Sequence, residues 1–268
     1  MSSSIWMDLL KLLALFGIIW LVFVFVDIFP DDVDLNISIE KEEKLGELIM
    51  EEILERDPTF KKNNSEVLDS AIFILKKRLV LALDSTFFNY NIQVIENPLI
   101  NAFTLPGGNI IVFSGLIGFA ESPEELAAVL AHEIGHVEQR HVINKLAKEL
   151  GVAILFSVFA GGDAYILTDI ARQAASSVFD RKQEKEADTF AMELLEKAKI
   201  NPRSIALFFR RLEKENLSYM KELEILMTHP HNNSRIKAAM EYELPEDFKS
   251  DPIDLDWEKI QEEATGSI

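Results

Sequence analysis

The chain has 268 residues, of which 48% are hydrophobic and 27% are charged, a composition typical of proteins that fold in water. Its length suffices for one domain, or for one domain with a small appendage. The formal net charge of −18 excludes nucleic acid as an expected partner, because binding a phosphate backbone requires patches of lysine and arginine. The chain contains no cysteine, so any metal must be bound by histidine and carboxylate side chains.

The N-terminus carries an apolar stretch of 21 residues at 9–29, interrupted only by Lys11 and Asp27. A helix of about 20 apolar residues spans a bilayer core, so the sequence predicts a membrane anchor within 1–30. The stretch is too long for the apolar region of a signal peptide and lacks a small-residue cleavage site, which favours a retained anchor. Lys11 at its start predicts a cytoplasmic N-terminus and places the rest of the chain on the extracytoplasmic, periplasmic side.

Three further regions follow the predicted anchor. Residues 31–44 are acidic and short of aromatic side chains, which predicts a solvated linker. The main domain is expected over 45–243. The acidic, proline-containing segment 244–268 is expected to be an extension that is either loose or packed onto this domain.

The first half of the main domain shows helical and then β-type patterns. Apolar residues at helical spacing predict one helix from Leu45 to Leu54 and a second from Leu68 to Leu83. Two short runs of β-forming residues, near 92–95 and 110–113, predict a small sheet. The expected fold class is therefore α+β and mostly helical.

Helices dominate the second half of the chain. Ser122 can cap a helix that has proline at its first position, and this helix is expected to extend from Pro123 to about Leu150. The apolar segment 152–160 is too short to cross a membrane and predicts a buried or interfacial helix. A further helix is expected from Ala164 to about Lys199, and another begins near 201–204.

An HExxH motif, formed by His132, Glu133 and His136, lies in the predicted helix that starts at Pro123. Residues four apart are about 400° apart around a helix, so both imidazoles project from one face and can bind one zinc ion. Glu133 lies on the flank of that face, where its carboxylate can act as a general base on a metal-activated water. The sequence thus predicts a hydrolytic site with one zinc ion per subunit.

A catalytic zinc ion takes three protein ligands, so a third ligand is expected downstream. Glu184 and Asp188 share one face of the predicted helix from Ala164 to Lys199. Glu184 is the candidate third ligand, and Asp188 is the candidate acceptor for the N–H group of a ligating histidine. The alternative is a solvated acidic helix face, and composition alone does not decide between the two.

Four segments in order resemble metallopeptidase family 48, the gluzincin proteases that include HtpX-like, Oma-type, BepA-like and CAAX prenyl proteases. They are the NAFTLPGG segment within 101–116, HEIGHVEQRH at 132–141, FDRKQEKEAD at 179–188 and THPHNNSRI at 228–236. The resemblance implies a zincin fold of the gluzincin type, with Glu184 completing the zinc site. It also implies that 106–113 forms an edge strand to which an extended substrate adds by main-chain pairing. The implied substrate-binding residues are Asn101, Pro106, Gly107, Gly108, Asn109 and Ile110.

The segment 228–236 supplies two further candidates. In the family its histidine, here His229, comes near the zinc, where it either stabilises the oxyanion or closes the fourth coordination position. Arg235 is the alternative stabiliser of the anion. Arg140 lies on the ligand side of the predicted helix and is a candidate for contacts with the ligand side chains, whereas His141 lies about 900° from His132, half a turn away from the ligand face.

The expected protein is a membrane-anchored zinc metalloendopeptidase that cleaves extended or unfolded protein segments in envelope or membrane protein quality control. The alternative is a zinc-containing, non-proteolytic, chaperone-like binding module whose site is closed by His229. The expected partners are a protein or peptide substrate and a membrane, while the oligomeric state stays open.

Overall fold

The computed structural model of the chain describes residues 7–8, 11–17, 37–56, 60–160, 164–216, 229 and 233–266. The chain divides into two units, Met1–Asn36 and Ile37–Ile268. Of the predicted anchor at 9–29, only 11–17 falls within the described residues, where it is helical. None of the helices in the described ranges is both long and apolar enough to cross a membrane. Residues 31–36 of the predicted linker lie outside the described residues.

The larger unit begins with helix α1 (Ile39–Arg56), which starts inside the segment predicted as a linker. Leu45 and Ile49 are buried as their helical spacing predicts, but Glu42 is buried as well. Acidic residues in the first turn are favourable at the positive end of the helix dipole. The linker prediction is therefore wrong for 37–44, because its acidic composition belongs to a packed helix N-terminus.

Four strands and the second predicted helix, α2 (Glu66–Leu81), come next. The strands form one sheet in the order β1-β2-β4-β3. Their bounds are Lys61–Lys62 for β1, Asn91–Glu96 for β2, Ala102–Thr104 for β3 and Asn109–Phe113 for β4. The two predicted β runs are β2 and β4, which pair in parallel, while β3 pairs antiparallel to β4.

The position of β4 in the sheet corrects one expectation. The segment 106–113 was expected to offer an edge strand, but β4 pairs with β2 on one side and with β3 on the other. Its main chain is therefore not available to a substrate. Within the described residues, β3 is the strand that ends the sheet on this side.

A short helix, α3 (Ser114–Phe119), leads to α4 (Pro123–Glu138) and α5 (His141–Leu150). A single helix from Pro123 to about Leu150 was expected, but the chain breaks at Arg140, whose φ of 54° is left-handed. The Arg140 side chain donates to Oε2 of Glu42 and to the carbonyl of Ile37, each at 2.7 Å. These contacts with α1 hold a conformation that no local sequence signal predicts.

The expected helix from Ala164 to Lys199 is also two helices, α7 (Ala164–Ala175) and α8 (Arg181–Lys197). Asp180 starts α8 with a capping box, in which its side chain accepts from the main chain of Gln183 and the Gln183 side chain accepts in return. Before α7, the apolar segment forms the short α6 (Val152–Ser157), in which only Leu155 is buried.

The remaining helices are α9 (Arg203–Asn216), α10 (Asn233–Met240) and α11 (Trp257–Gly266). The C-terminal extension is of the packed-on kind, because α11 buries Ile260 and Ala264 against α2 and α3. The fold is thus mostly helical with a small sheet. At its centre lies α4, buried from Glu125 to Val137 between β3 and the helices α2, α8 and α9.

Candidate metal centre

Three histidines and a glutamate bring four possible ligand atoms together inside the larger unit. His132 and His136 lie one turn apart on α4, Glu184 lies in the first turn of α8, and His229 lies between α9 and α10. All four residues are buried, and one ligand atom from each lies within 4.8 Å of the other three. The packing of α4 against α8 brings the predicted ligands together across 48 residues of sequence.

The spacing of these atoms fits a tetrahedral zinc site. Nε2 of His132 lies 3.1 Å from Nε2 of His136 and 3.5 Å from Oε2 of Glu184, and Nε2 of His136 lies 3.5 Å from Oε1 of Glu184. Ligand atoms about 2.0 to 2.1 Å from a tetrahedral ion lie roughly 3.3 Å from one another. Two imidazole nitrogens and a carboxylate oxygen are also the donor types that zinc takes in proteins without cysteine.

His229 stands where a fourth ligand would lie. Its Nδ1 atom is 3.3 Å from Nε2 of His132 and 2.9 Å from Oε1 of Glu184. On the other side of the ring, Nε2 is 3.5 Å from Oε1 of Glu133. The structure therefore shows a closed arrangement, in which the imidazole fills the place that a water molecule or substrate would need.

Glu133 is completely buried and faces β3. The hydroxyl of Thr104 lies 2.7 Å from Oε2 of Glu133 and 3.0 Å from its main-chain oxygen. Oε1, the other carboxylate oxygen, has no hydrogen-bond partner among the described residues. One oxygen of the candidate base is thus held by the edge strand, while the other is left for a ligand.

Asp188 and Arg235 support the cluster from behind. Oδ1 of Asp188 is 3.0 Å from Nδ1 of His132, which leaves Nε2 of that imidazole for a metal. Arg235 contacts both oxygens of Asp188, at 2.7 and 2.8 Å, and Oε2 of Glu184 at 2.5 Å. In this structure the guanidinium of Arg235 thus faces the carboxylates of Asp188 and Glu184, and its role in stabilising an anion stays a prediction.

The buried charges hold Glu184 and His136, but not His132, in the protonation states that bind a metal ion. Burial raises the pKa of the Glu184 carboxyl, but the surrounding histidines, His229 foremost, outweigh burial and hold the pKa well below its usual range. Burial lowers the pKa of His136 well below its ordinary value. Burial also lowers the pKa of His132, but its hydrogen bonds to Asp188 and Glu184 raise that pKa to about 9. A carboxylate and a neutral imidazole are the forms of these side chains that bind metal ions.

His141 is a residue of the site that was not predicted from the sequence. It was placed half a turn from the ligands, but the break at Arg140 starts a new helix and brings Nδ1 of His141 within 2.8 Å of Nδ1 of His136. Its Nε2 atom is 3.2 Å from Oε2 of Glu186, one turn along α8 from the cluster. Burial is the main cause of the lowered pKa of His141.

The expected contact of Arg140 with the ligands is corrected by the same break. Its hydrogen bonds extend to Glu42 and Ile37, on the side of α1. Because α4 ends before Arg140, the angular relation to His136 on which the expectation rested does not exist. Arg140 instead holds the corner from which α5 begins.

The six predicted substrate-binding residues lie in the interior. Gly107 and Gly108 have positive φ, and a Cβ at Gly107 would lie 2.3 Å from Cα of Glu43 in α1. The main chain of α1 thus approaches Gly107, and the main chain of Asn89 approaches Gly108. Asn109 donates to the carbonyl of Pro106 at 3.1 Å, and Ile110 is buried in β4.

Asn101 differs from the other five, because its side-chain Oδ1 is buried without a hydrogen-bond partner in the described part of the chain. Its main-chain oxygen accepts from Phe113 of β4 at 3.0 Å. It directly precedes the edge strand β3, which Thr104 ends. Of the predicted set, Asn101 is thus next to the strand that contacts Glu133.

The sequence pattern of peptidase family M48 matches residues 74–243, which include all four candidate ligands. The chain is 28% identical over 230 residues to the beta-barrel assembly-enhancing protease of Yersinia pestis, covering 80% of this chain and 46% of that protein. It is 30% identical over 178 residues to mitochondrial metalloendopeptidase OMA1 of Schizosaccharomyces pombe, covering 63% of this chain and 51% of that protein.

A third relative is the putative beta-barrel assembly-enhancing protease of Vibrio cholerae, 31% identical over 219 residues, covering 77% of this chain and 45% of that protein. The chain spans about half the length of the curated relatives it matches. The family match covers more than half of the chain, so it confirms the resemblance that the four motifs carry.

Proposed function

Because the chain belongs to peptidase family M48, we propose that it is a zinc metalloendopeptidase that hydrolyses peptide bonds in extended or unfolded protein segments. The observation that carries the proposal is the buried convergence of His132, His136 and Glu184, with Glu133 beside it on the same helix. A ligand set of this size and donor type fits zinc, and the adjacent carboxylate fits a general base.

The proposal gives each residue of the site a role in hydrolysis. His132, His136 and Glu184 would hold the zinc ion, which when bound would polarise the scissile carbonyl and acidify a water molecule. Glu133 accepts the proton of this water at Oε1, the oxygen without a hydrogen-bond partner in the described ranges. The same carboxyl group then donates the proton to the leaving amine nitrogen. Thr104 holds Oε2 of Glu133 throughout.

Substrate pairing is assigned to β3. Asn101 and Leu105 form main-chain hydrogen bonds with β4, so the alternation of an antiparallel ladder directs the N–H and C=O groups of Ala102 and Thr104 away from it. An extended segment that pairs with these groups lies next to Glu133, which Thr104 contacts. The residues of β3 are buried in this structure. A substrate can therefore pair with β3 only after the part of the protein that covers this strand has moved away.

The cellular role follows from the anchor and from the relatives. We assign residues 9–29 to a membrane anchor on the basis of their composition. Two relatives are named for enhancing β-barrel assembly and one is named a mitochondrial metalloendopeptidase. Together these support a role in envelope or membrane protein quality control, with the larger unit on the extracytoplasmic side.

The second candidate function is a chaperone-like binding module that keeps zinc but does not cleave. The position of His229 favours it, because Nδ1 lies within ligand distance of the cluster and closes the fourth corner. In the protease, His229 must leave this position before a substrate carbonyl can enter. In the binding module it stays.

Degradation of unfolded casein by the zinc-loaded full chain separates the two functions. The protease predicts cleavage by the wild type and a changed rate in His229→Ala, faster where His229 closes the site and slower where it stabilises the oxyanion. His231→Ala, which removes the next histidine in the sequence, is the matched control and is expected to behave as the wild type. If casein binds to both the wild type and His229→Ala but stays intact with both, the protease function is refuted and the binding module is supported.

A further inference from the structure

The metal-binding residue His136 is the inner end of a chain of three hydrogen-bonded side chains. The Nδ1 atoms of His136 and His141 are 2.8 Å apart, and Nε2 of His141 is 3.2 Å from Oε2 of Glu186. His136 is completely buried and His141 is 4% exposed, whereas Glu186 reaches the surface. Solvent therefore does not compete for the contact between the two imidazoles.

When both imidazoles are neutral and Glu186 is ionised, the chemistry of these groups permits one arrangement of protons. A carboxylate only accepts hydrogen bonds, so the proton of neutral His141 lies on Nε2, toward Glu186. Nδ1 of His141 is then an acceptor, and Nδ1 of His136 must be the donor. This leaves Nε2 of His136 as a lone pair that faces Nε2 of His132 and the Glu184 carboxylate.

The break between α4 and α5 makes this contact possible. On an uninterrupted helix, residues five apart lie about 140° from each other and their side chains do not meet. The left-handed Arg140 redirects the chain, and its hydrogen bonds to α1 hold the redirection. Phe179 stacks on a face of the His136 imidazole, with ring centroids 3.9 Å apart and planes 24° apart. Two independent contacts thus restrict the orientation of this one ring.

We propose that His141 and Glu186 are positioning residues that fix the tautomer and orientation of His136 and so strengthen zinc binding. They serve His136 as Asp188 serves His132, so that each imidazole ligand has its own acceptor at Nδ1. The inference rests on the proposed zinc site, and it concerns affinity for the metal rather than cleavage.

Zinc dissociation constants of the full chain, measured by competition with a chromophoric chelator, test the proposal. His141→Leu keeps the approximate size of the side chain without an acceptor, and we expect zinc to bind about 10- to 100-fold more weakly. His141→Asn places an amide oxygen near the position of Nδ1, so it is expected to restore most of the affinity. Glu186→Ala is expected to weaken binding, whereas the control Glu193→Ala removes an acid from the exposed side of α8 and is expected not to.

Nitrogen-15 NMR of histidine-labelled, zinc-loaded protein gives a readout that mere loss of packing would not move. The expected spectrum shows a proton on Nδ1 of His136 in the wild type and in His141→Asn. A His141→Leu protein that binds zinc within twofold of the wild type would overturn the proposal, as would a His136 that binds zinc through Nδ1. Should His141→Leu fail to fold, Glu186→Ala decides by the same criterion, because its side chain is 42% exposed.

The possible failures can be told apart. A wild-type chain that binds no zinc overturns both this proposal and the proposed function. Tight zinc binding with the expected order of variants, but without casein cleavage, supports the roles of His141 and Glu186 and refutes the protease. Casein cleavage, together with equal zinc affinity in all variants, supports the protease and refutes the roles of His141 and Glu186.

Discussion

Replacement of Gly46 by alanine tests the close packing of α1 against the turn that precedes β4. A Cβ at Gly46 would lie 1.9 Å from the carbonyl oxygen of Pro106 and 2.6 Å from Nδ2 of Asn109. These two groups are hydrogen-bonded to each other at 3.1 Å, so neither can retreat without loss of that bond. Helix propensity alone would make alanine about 1 kcal/mol more favourable than glycine here. An extra methyl group in a well-packed core costs about 1 to 3 kcal/mol of stability. Because the methyl group of Gly46→Ala would meet a main-chain oxygen, its cost should be about 3 kcal/mol or more.

The net expectation for Gly46→Ala is a loss of about 2 kcal/mol in the free energy of unfolding, measured by denaturant titration at 25 °C. Gly266→Ala is the matched control, because a Cβ in that position of α11 meets nothing within 4 Å. Its expected change is within about 0.5 kcal/mol. A Gly46→Ala protein that is as stable as the wild type, or more stable, would show that α1 does not pack against this turn as described.

Three further variants test the site. Thr104→Val keeps the side-chain shape but leaves the buried Glu133 carboxylate without its hydrogen-bond donor, so the free energy of unfolding should fall by about 1 to 3 kcal/mol. Thr104→Ser keeps a hydroxyl group and should lose less. Equal stability of the wild type and both variants would refute the hydrogen bond. Glu184→Ala should lose stoichiometric zinc in metal analysis, and full occupancy would show that another residue is the third ligand. The lysine of Arg235→Lys cannot form two parallel hydrogen bonds with Asp188, so the zinc affinity of this variant should fall by about tenfold or more. An unchanged zinc affinity would show that the two hydrogen bonds have no role in metal binding.

The sequence allowed the ligand helix to be predicted because its signals are local. The capping residue Ser122 lies beside its helix, and the spacing of His132 and His136 follows from the helical repeat alone. The burial of α4 follows in the same way, since the apolar residues around the motif leave no polar face for solvent.

The break after Glu138 could not be predicted in this way. Arg140 is neither glycine nor asparagine, and it adopts left-handed φ because Glu42 and Ile37, about 100 residues earlier, accept its hydrogen bonds. The same break explains why His141 was not predicted as a site residue. Its angle to His132 was measured along a helix that ends before His141. By contrast, the start of α8 carried a usable signal in the capping pair Asp180 and Gln183.

Strand order was the other non-local feature. The bulky β-forming residues of β4 indicate a strand, but they do not indicate whether it lies at the centre or at the edge of the sheet. The three-residue β3 is too short for a clear pattern, although it forms the edge. For the same reason, Gly107 was assigned to substrate approach when it permits the approach of α1.

The proposed function requires Glu133 to act as a base beside a zinc ion held by His132, His136 and Glu184. Its most direct test compares the zinc-loaded wild type with Glu133→Gln, by measuring zinc content and cleavage of an unfolded protein in the same samples. We expect equal zinc content and a loss of cleavage of at least about 100-fold in the variant, because general-base catalysis contributes this much or more. Cleavage by Glu133→Gln at the wild-type rate, with zinc bound in both proteins, would contradict it.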